Sequence, residues 1–233
     1  MSLYVCPNVR CCEVQGFLVL LDLRTGGYYV FDSVGTAMWK ASLSTIDGAE
    51  ALQGLLEKFS VERGRLEADL AAFQHQCMAR GFLQEEEPQA RSDLPLRAAL
   101  PRRRFLTLRA WWCLFRTTCS LAVYGFARTY ERYSRLSTPA EDSDRADAML
   151  AKALAAFSRA ENLFSMKRAP RDCVPRSLAL FHFLRLAGLP AEHCIGVRRS
   201  PFEAHAWVEC EGRVVHDLPS RQLRYTTLAR ISR

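Results

Sequence analysis

The sequence lacks the patterns that direct a protein across or through a membrane. Its first residues show none of the basic region, apolar core or small-residue cleavage site of a signal peptide. The most apolar stretch, residues 110–127, carries Arg116 near its centre, whereas a span needs about 20 apolar residues and is penalised by a central charge. We therefore expect a cytoplasmic protein with no stable membrane span, in which residues 110–127 form a buried core helix. Peripheral membrane contact of this helix is the alternative.

Paired cysteines with metal-ligand spacing are also absent. The chain has nine cysteines, an odd number without any CxxC pair, and in a reducing compartment most of them should be free thiols. A zinc site would have to be assembled by folding from residues that are scattered along the sequence, namely Cys173, His193, Cys194, His205 and Cys210. The sequence therefore predicts no metal site and no cofactor.

The composition is that of a folded globular protein, with 49% hydrophobic and 24% charged residues. The charge is unevenly distributed. Residues 1–87 carry 12 acidic and 7 basic side chains, a net charge of −5, and the remainder carries 13 acidic and 25 basic side chains, a net charge of +12. The basic part could meet an acidic peptide, nucleic acid or a membrane surface, although its dispersed arginines are also typical of a solvated surface.

The first 87 residues read as three strands followed by three helices. Residues 9–14, 17–22 and 28–31 are short apolar or β-branched runs separated by glycine-containing turns. Asp32 and Ser33 are a plausible N-cap pair, and helical periods follow in residues 34–41, 51–59 and 66–78, the last ended by Gly81. A charged, proline-interrupted linker comes next. We predict domains at residues 1–87 and 105–233, joined by a linker at 88–104.

Three residues of the second half have the chemistry of a thiol hydrolase. Cys173 opens an apolar helix, where unpaired backbone N–H groups and the positive end of the helix dipole favour the thiolate. His205 lies in an alternating strand, and Asp217 ends the next strand after the tight turn Glu211-Gly212. Such a hairpin would bring His205 and Asp217 together as base and orienting acid.

Residues next to these three bear on the same chemistry. His216 is adjacent to Asp217, but strand alternation should point its side chain to the opposite face, so it is rejected as the base. Arg168, Arg171 and Arg176 crowd the start of the cysteine helix. Their charge would lower the pKa of the thiol further, unless they are solvated at the surface.

A cysteine at a helix start, H-A-W-V on a strand and an aspartate after the next strand resemble the transglutaminase-like cysteine hydrolases. The chain as a whole resembles the B protein of lasso peptide biosynthesis, in which a leader-binding domain is fused to the leader peptidase. This resemblance implies a triad of Cys173, His205 and Asp217 in a transglutaminase-like, papain-like fold. It also implies cleavage of a ribosomal precursor peptide between leader and core, with ring closure by a separate ATP-dependent cyclase similar to asparagine synthetase.

The first domain resembles the PqqD-like winged helix-turn-helix domain that binds leader peptides. In that family the leader adds as a strand beside the third strand, in a groove closed by the third helix. The resemblance implies leader-binding positions at Tyr28, Tyr29, Val30, Phe31, Leu66, Leu70 and Phe73, some of which would equally serve as core residues. A winged helix also suggests DNA binding, but a domain with a net charge of −5 has the wrong sign for phosphates.

The predicted fold class is therefore α+β, with a winged helix-turn-helix domain followed by a cysteine peptidase domain. The predicted function is leader binding and proteolytic leader removal in lasso peptide maturation, with no nucleic-acid partner. Three alternatives stay open: an amide-forming transglutaminase-like enzyme with the same triad, a non-catalytic scaffold for a precursor peptide, and a regulatory DNA-binding protein.

Overall fold

The computed structural model describes residues 3–43, 48–59, 61–88, 96–97, 105–137, 143–164, 173–218 and 223–232. The chain divides into two compact units, Met1–Ser92 and Asp93–Arg233. Both units combine helices with sheet. The boundary lies within residues 88–104, and the assignment of recognition and catalysis to separate domains stays a prediction.

The first unit contains three strands of one sheet, three helices and two very short strands. In chain order these are β1 (Tyr4–Val5), β2 (Val9–Val14), β3 (Phe17–Asp22), β4 (Gly27–Phe31), α1 (Ser33–Leu43), α2 (Gly48–Phe59), α3 (Arg63–Ala79) and β5 (Leu83–Gln84). The antiparallel sheet has the order β2-β3-β4, and β1 pairs with β5. The three predicted strands and three predicted helices are confirmed. The sequence reading missed β1 and β5 because two residues are too few to show a period.

The ends of these elements follow from local hydrogen bonding. Asp32 caps α1, since its Oδ1 accepts the N–H of Gly35 at 2.8 Å. Gly81 follows α3 with a φ of 70°, its N–H donates to Met78 O, and the N–H of Phe82 donates to Cys77 O, each at 2.8 Å. This is the glycine-terminated helix end expected from the sequence, and it turns Phe82 into the core.

The second unit combines a four-stranded antiparallel sheet with helices. Its elements are β6 (Leu96–Arg97), α4 (Leu106–Ser134), β7 (Leu136–Ser137), α5 (Ser143–Phe164), α6 (Cys173–Leu186), β8 (Ala191–Arg198), β9 (Glu203–Cys210), β10 (Arg213–Val215) and β11 (Thr226–Ile231). The sheet has the order β10-β9-β8-β11, and β6 pairs with β7 in parallel. Helix α6 packs against β8 and β9 and is buried from Ser177 to Arg185.

Helix α4 differs from the continuous buried helix that the sequence predicted. Gly125 has a φ of 75° and a ψ of 178°, which is not helical, so the element consists of two arms, residues 106–124 and 126–134. The arms fold back on each other, because Thr117 Oγ1 lies 2.9 Å from Tyr133 Oη although the two residues are 16 positions apart. Only one face of the first arm is buried. A glycine with positive φ allows this reversal at little cost.

The strand that was expected to end in Asp217 stops earlier. Strand β10 ends at Val215, and His216 has a φ of 61°, outside the β region. Asp217 therefore lies in a turn beyond the sheet.

Some predicted features fall outside the described residues. These include most of the predicted linker at 88–104, and Arg168 and Arg171. Among the described helices, none combines the length and the apolar character needed to cross a bilayer.

Candidate functional site

Cys173 is the first residue of α6 and is half-buried. At this position its neighbours are backbone N–H groups that have no partner within the helix. Pro175, in the same turn, is tolerated because the first turn has no N–H bonds for it to break. From Ser177 to Arg185 the helix is buried, so it holds the thiol on a fixed support.

The structure brings Cys173, His205 and Asp217 together from three elements. His205 lies on β9 and Asp217 in the turn after β10. His205 is hydrogen-bonded to Cys173, and its Nε2–H donates to Asp217 Oδ2 at 2.5 Å. With Nε2 committed to Asp217, Nδ1 is the ring nitrogen left for the thiol. The arrangement is a hydrogen-bonded chain from sulfur to imidazole to carboxylate.

The electrostatics of this chain favour an ion pair of thiolate and imidazolium. Burial raises the pKa of Cys173, but hydrogen bonds from the His205 side chain and the Ala206 backbone N–H outweigh it and bring the pKa below its ordinary value. The pKa of His205 is raised by its bond to Cys173, against the effect of burial, and further by its bond to Asp217. Both shifts favour the charged forms near neutral pH.

Backbone groups complete the polar surroundings, and of these only the N–H groups at the start of α6 were expected from the sequence. The N–H groups of Ala206 and of Cys173 itself point at the sulfur. The N–H of Leu218 donates to Asp217 Oδ1 at 2.8 Å, so both carboxylate oxygens have a donor. Backbone contacts depend on the fold rather than on residue type, and no sequence motif reveals them.

Aromatic rings fix the plane of the His205 imidazole. The ring of Trp207 lies 6.1 Å away with an interplanar angle of 20°, and the ring of Tyr225 lies 5.4 Å away. Gly196, which faces His205 across the β8–β9 ladder, makes room for Trp207, because a Cβ atom at residue 196 would lie 2.7 Å from its Cη2. Trp207 belongs to the H-A-W-V motif, whereas Tyr225 was not singled out.

His216 belongs to a second polar cluster, facing away from the thiol. Its Nε2 lies 2.6 Å from Glu161 Oε2, and its ring packs edge-on against Phe157 at 5.4 Å. Arg176 also reaches Glu161, with Nε 2.5 Å from Oε1. The Arg176 guanidinium, which was expected to lower the pKa of the thiol, is thus paired with Glu161. This cluster ties the residue before Asp217 to α5 and α6.

Beneath the first turn of α6, Ser177 and His193 form a buried pair. Ser177 Oγ lies 2.9 Å from His193 Nε2 and donates to Val174 O at 3.2 Å. Burial lowers the pKa of His193 to about 3, so the ring is neutral. A consistent assignment has His193 Nε2–H donating to Ser177, which braces the turn that carries Cys173.

The predicted leader-binding residues occupy two places in the first unit. Phe31 packs against Phe73 at 5.4 Å, and Tyr29 packs against Phe82 at 4.8 Å. Tyr28 is half-buried, and Val30 is 48% exposed. Leu66 and Leu70 instead lie in a separate cluster with residues of α1 and α2. Phe73 is therefore the predicted α3 residue that contacts β4.

No group of three or more His, Cys, Asp or Glu side chains is arranged to hold a metal ion in the part of the chain that the structure describes.

Two family models match the chain. The transglutaminase-like superfamily matches residues 111–230, and coenzyme PQQ synthesis protein D (PqqD) matches residues 18–83. The first match covers more than half of the 233 residues and includes all three residues of the chain from sulfur to carboxylate. The predicted order of a PqqD-like region and a transglutaminase-like domain is confirmed.

Two individual proteins are similar to parts of the chain. The microcin J25-processing protein McjB of Escherichia coli is 35% identical over 69 residues, which are 30% of this chain and 33% of McjB. The chain thus matches about a third of the length of that relative. The structure of TbiB1 in complex with the TbiA(beta) leader peptide is 25% identical with a TM-score of 0.33, over 38% of this chain and 100% of the other. The resemblance to lasso peptide B proteins is in line with the McjB match.

Proposed function

The chain belongs to the transglutaminase-like superfamily, and from this premise we propose that it is a cysteine peptidase that removes the leader from a lasso peptide precursor. One observation carries the catalytic part of this proposal: Cys173 at a helix start is hydrogen-bonded to His205, which is hydrogen-bonded to Asp217. The substrate class is supported by the similarity to McjB, a processing protein, and by the PqqD region.

In the proposed reaction the Cys173 thiolate attacks the carbonyl carbon of the scissile peptide bond. The imidazolium of His205 gives its proton to the leaving amine, and the C–N bond breaks to leave a thioester. His205 then takes a proton from water, which attacks the thioester and releases the leader acid and the thiol. Asp217 holds the imidazole in orientation throughout. The backbone N–H groups of Cys173 and Ala206, which donate to the sulfur, are the donors proposed for the developing oxyanion.

The leader is proposed to dock on the outer edge of β4. In the described residues β4 pairs with β3 alone. The two-residue turn at Gln15 and Gly16 makes Val14 and Phe17 a hydrogen-bonded pair. By alternation the N–H groups of Leu18, Leu20 and Asp22 then point to β4, which agrees with Leu18 donating to Thr36 Oγ1 at 2.9 Å beside that strand. The N–H of Val30 consequently points outward, where an added strand would bond.

We also assign the three strands and three helices of the first unit to a winged helix-turn-helix. In this assignment the unit acts as a peptide-binding module, and the leader it holds raises the local concentration of the cleavage site at Cys173. A separate ATP-dependent cyclase would use the freed amine.

The catalytic part is tested with Cys173→Ala and the precursor encoded beside the gene. We expect cleavage to be lost while the circular dichroism spectrum stays native, because a small side chain at a helix start contributes little to packing. A leader fragment that exceeds the mass of its free acid by the mass of an amine minus one water would indicate amide formation instead. Normal cleavage by the variant would rule out Cys173 as the nucleophile.

The binding part is tested by titrating labelled leader peptide against the full chain by fluorescence anisotropy. Val30→Pro removes an outward N–H from β4, and we expect weaker binding. Cys11→Pro is the matched control, because by the same alternation Cys11 points its N–H outward from β2, on the opposite edge of the sheet. Equal affinities of the two variants would place the leader elsewhere.

A further inference from the structure

The first arm of α4 buries mostly small side chains and exposes large apolar ones, which is the opposite of a core helix. The residues that face the interior are mostly small, namely Ala110, Cys113, Leu114, Thr117 and Ser120. The large side chains point outward: Phe105 is 76% exposed, Leu108 65%, Trp112 53% and Phe115 41%. Burial of large apolar side chains drives folding, so a helix that exposes them is expected to have a further partner.

The four exposed residues Phe105, Leu108, Trp112 and Phe115, called here the α4 stripe, form one continuous surface. They recur at intervals of three, four and three residues, which places Leu108, Trp112 and Phe115 on a single helix face about 10 Å long, with Phe105 at the N-cap position before it. The stripe is also ordered. The rings of Phe115 and Trp111 stack at 5.7 Å with an interplanar angle of 1°, and Trp111 meets Phe164 of α5 at 6.2 Å. The stripe is therefore a fixed apolar surface rather than a set of separate side chains.

The segment of the sequence that contains the stripe carries charge of one sign. Residues 94–130 contain seven arginines and no aspartate or glutamate. Arg116 is exposed next to Phe115. Arg109, seven residues before it, donates to Leu186 O at 3.2 Å at the end of α6. A surface that accepts this segment must offer apolar contact at its centre and negative charge around it.

From these observations we propose that the α4 stripe docks in the interface of a bilayer that contains anionic phospholipid. Tryptophan, phenylalanine and leucine on one face, with arginine beside them, are the composition of helices that lie in the plane of the headgroups. The arginine stems would follow the apolar surface while the guanidinium groups reach lipid phosphates.

The arm lies parallel to the membrane in this arrangement, since its other face packs against α5 and α6. A protein partner would also cover the aromatic rings. A run of 37 residues, 94–130, without one acidic side chain complements a uniformly negative surface better than the mixed charges at the rim of a protein interface. The proposal does not rest on the peptidase activity.

The test is sedimentation of the full chain with vesicles. We expect the protein to pellet with vesicles made of equal parts phosphatidylglycerol and phosphatidylcholine, and much less with phosphatidylcholine alone. The double variant Trp112→Ser with Phe115→Ser should lower the partition coefficient about a hundredfold, since each ring contributes about tenfold or more when buried. Raising the salt concentration should weaken binding of the wild-type chain.

Phe202→Ser with Leu223→Ser is the matched control. Both of these residues are exposed apolar side chains of the second unit outside α4, and this variant should pellet like the wild type. Circular dichroism checks that both double variants are folded. Absence of binding to either vesicle type, or equal loss in the two double variants, would overturn the proposal. So would self-association in size-exclusion chromatography that only the stripe variant abolishes, because a second copy would then cover the stripe.

Discussion

The replacement of Asp217 by asparagine tests the site more sharply than its removal would. The two carboxylate oxygens have different donors: Oδ2 receives Nε2–H of His205 at 2.5 Å, and Oδ1 receives the N–H of Leu218 at 2.8 Å. An amide has the same shape but only one acceptor oxygen. Asparagine at this position therefore cannot satisfy both donors.

Each orientation of the amide carries a cost. If its oxygen keeps the Leu218 N–H, its NH₂ group faces His205 Nε2, which must then be unprotonated, and the imidazolium is lost. If its oxygen turns to His205, the NH₂ group opposes the Leu218 N–H. A lost bond to a charged group costs about 1.5–3 kcal/mol, and an unsatisfied donor about 1–3 kcal/mol. Because the amide takes one orientation at a time, we expect a loss of about 1.5–3 kcal/mol in transition-state stabilisation, or one to two orders of magnitude in kcat/KM.

The assay is cleavage of the precursor peptide, followed by mass spectrometry over a range of pH. Thiolate is present above the lowered pKa of Cys173, and imidazolium is present below the raised pKa of His205, so the rate should rise through the first and fall through the second. Asp217 is one cause of the raised His205 pKa. Its replacement by asparagine should therefore move the alkaline limb to lower pH.

The control is Asp147→Asn, the same chemical change at an exposed ion pair with Arg213. Such a pair contributes less than about 1 kcal/mol to stability, and we expect the cleavage rate to be unchanged within about twofold. A loss below tenfold for Asp217→Asn, or an unmoved alkaline limb, would refute the role given to Asp217.

Two further predictions follow from the packing and the electrostatics of the second unit. Gly196→Ala places a Cβ atom 2.7 Å from Trp207 and 3.0 Å from Thr226 O, and should lower the free energy of unfolding by about 1–3 kcal/mol in urea titrations. The control is Gly54→Ala, which should not destabilise the protein because a Cβ there meets nothing within 4 Å. Equal effects of the two variants would contradict the packing argument. Iodoacetamide labelling, read by peptide mass spectrometry, should modify Cys173 at lower pH than the buried Cys194 and Cys210, whose pKa values burial raises to about 12. His205→Ala should move the labelling of Cys173 to higher pH.

The sequence was informative wherever a local rule determines the structure. The two-residue turns, the Asp32 cap and the Gly81 helix end depend on neighbouring residues alone, and they were predicted with their elements. Proximity of His205 and Asp217 was also predictable, because a hairpin brings consecutive strands together.

Features that depend on contacts between distant residues were not predictable in this way. The reversal at Gly125 occurs because the second arm of α4 finds a partner in the first, which no helical period reveals. The placement of Leu66 and Leu70 against α2 rather than β4 depends on how the three helices pack. The donors to the Cys173 sulfur and to Asp217 are backbone groups, which carry no signature in the residue types.

His216 shows how the site depends on a residue outside the triad, and it supports a last prediction. Cys173 is held by a buried helix and His205 by a strand with neighbours on both sides, but Asp217 lies beyond the three-residue strand β10. Its position is set by the turn at His216, with a φ of 61°, and by the bond from His216 to Glu161. Asp217 is therefore the least firmly held member of the triad.

His216→Ala removes this bond and leaves an alanine in a left-handed conformation, at a combined cost of about 2 kcal/mol. We expect the cleavage rate to fall less than about tenfold in buffer, because the contacts of His216 Nε2 are with Glu161 and Arg176 and not with a member of the triad. Activity should however be lost at a lower urea concentration than the circular dichroism signal, since the turn opens before the sheet does. Glu161→Gln should act in the same direction without the backbone strain. A loss of cleavage rate in buffer as large as that of Asp217→Asn would mean that His216 itself takes part in the reaction. The turn would then do more than position Asp217.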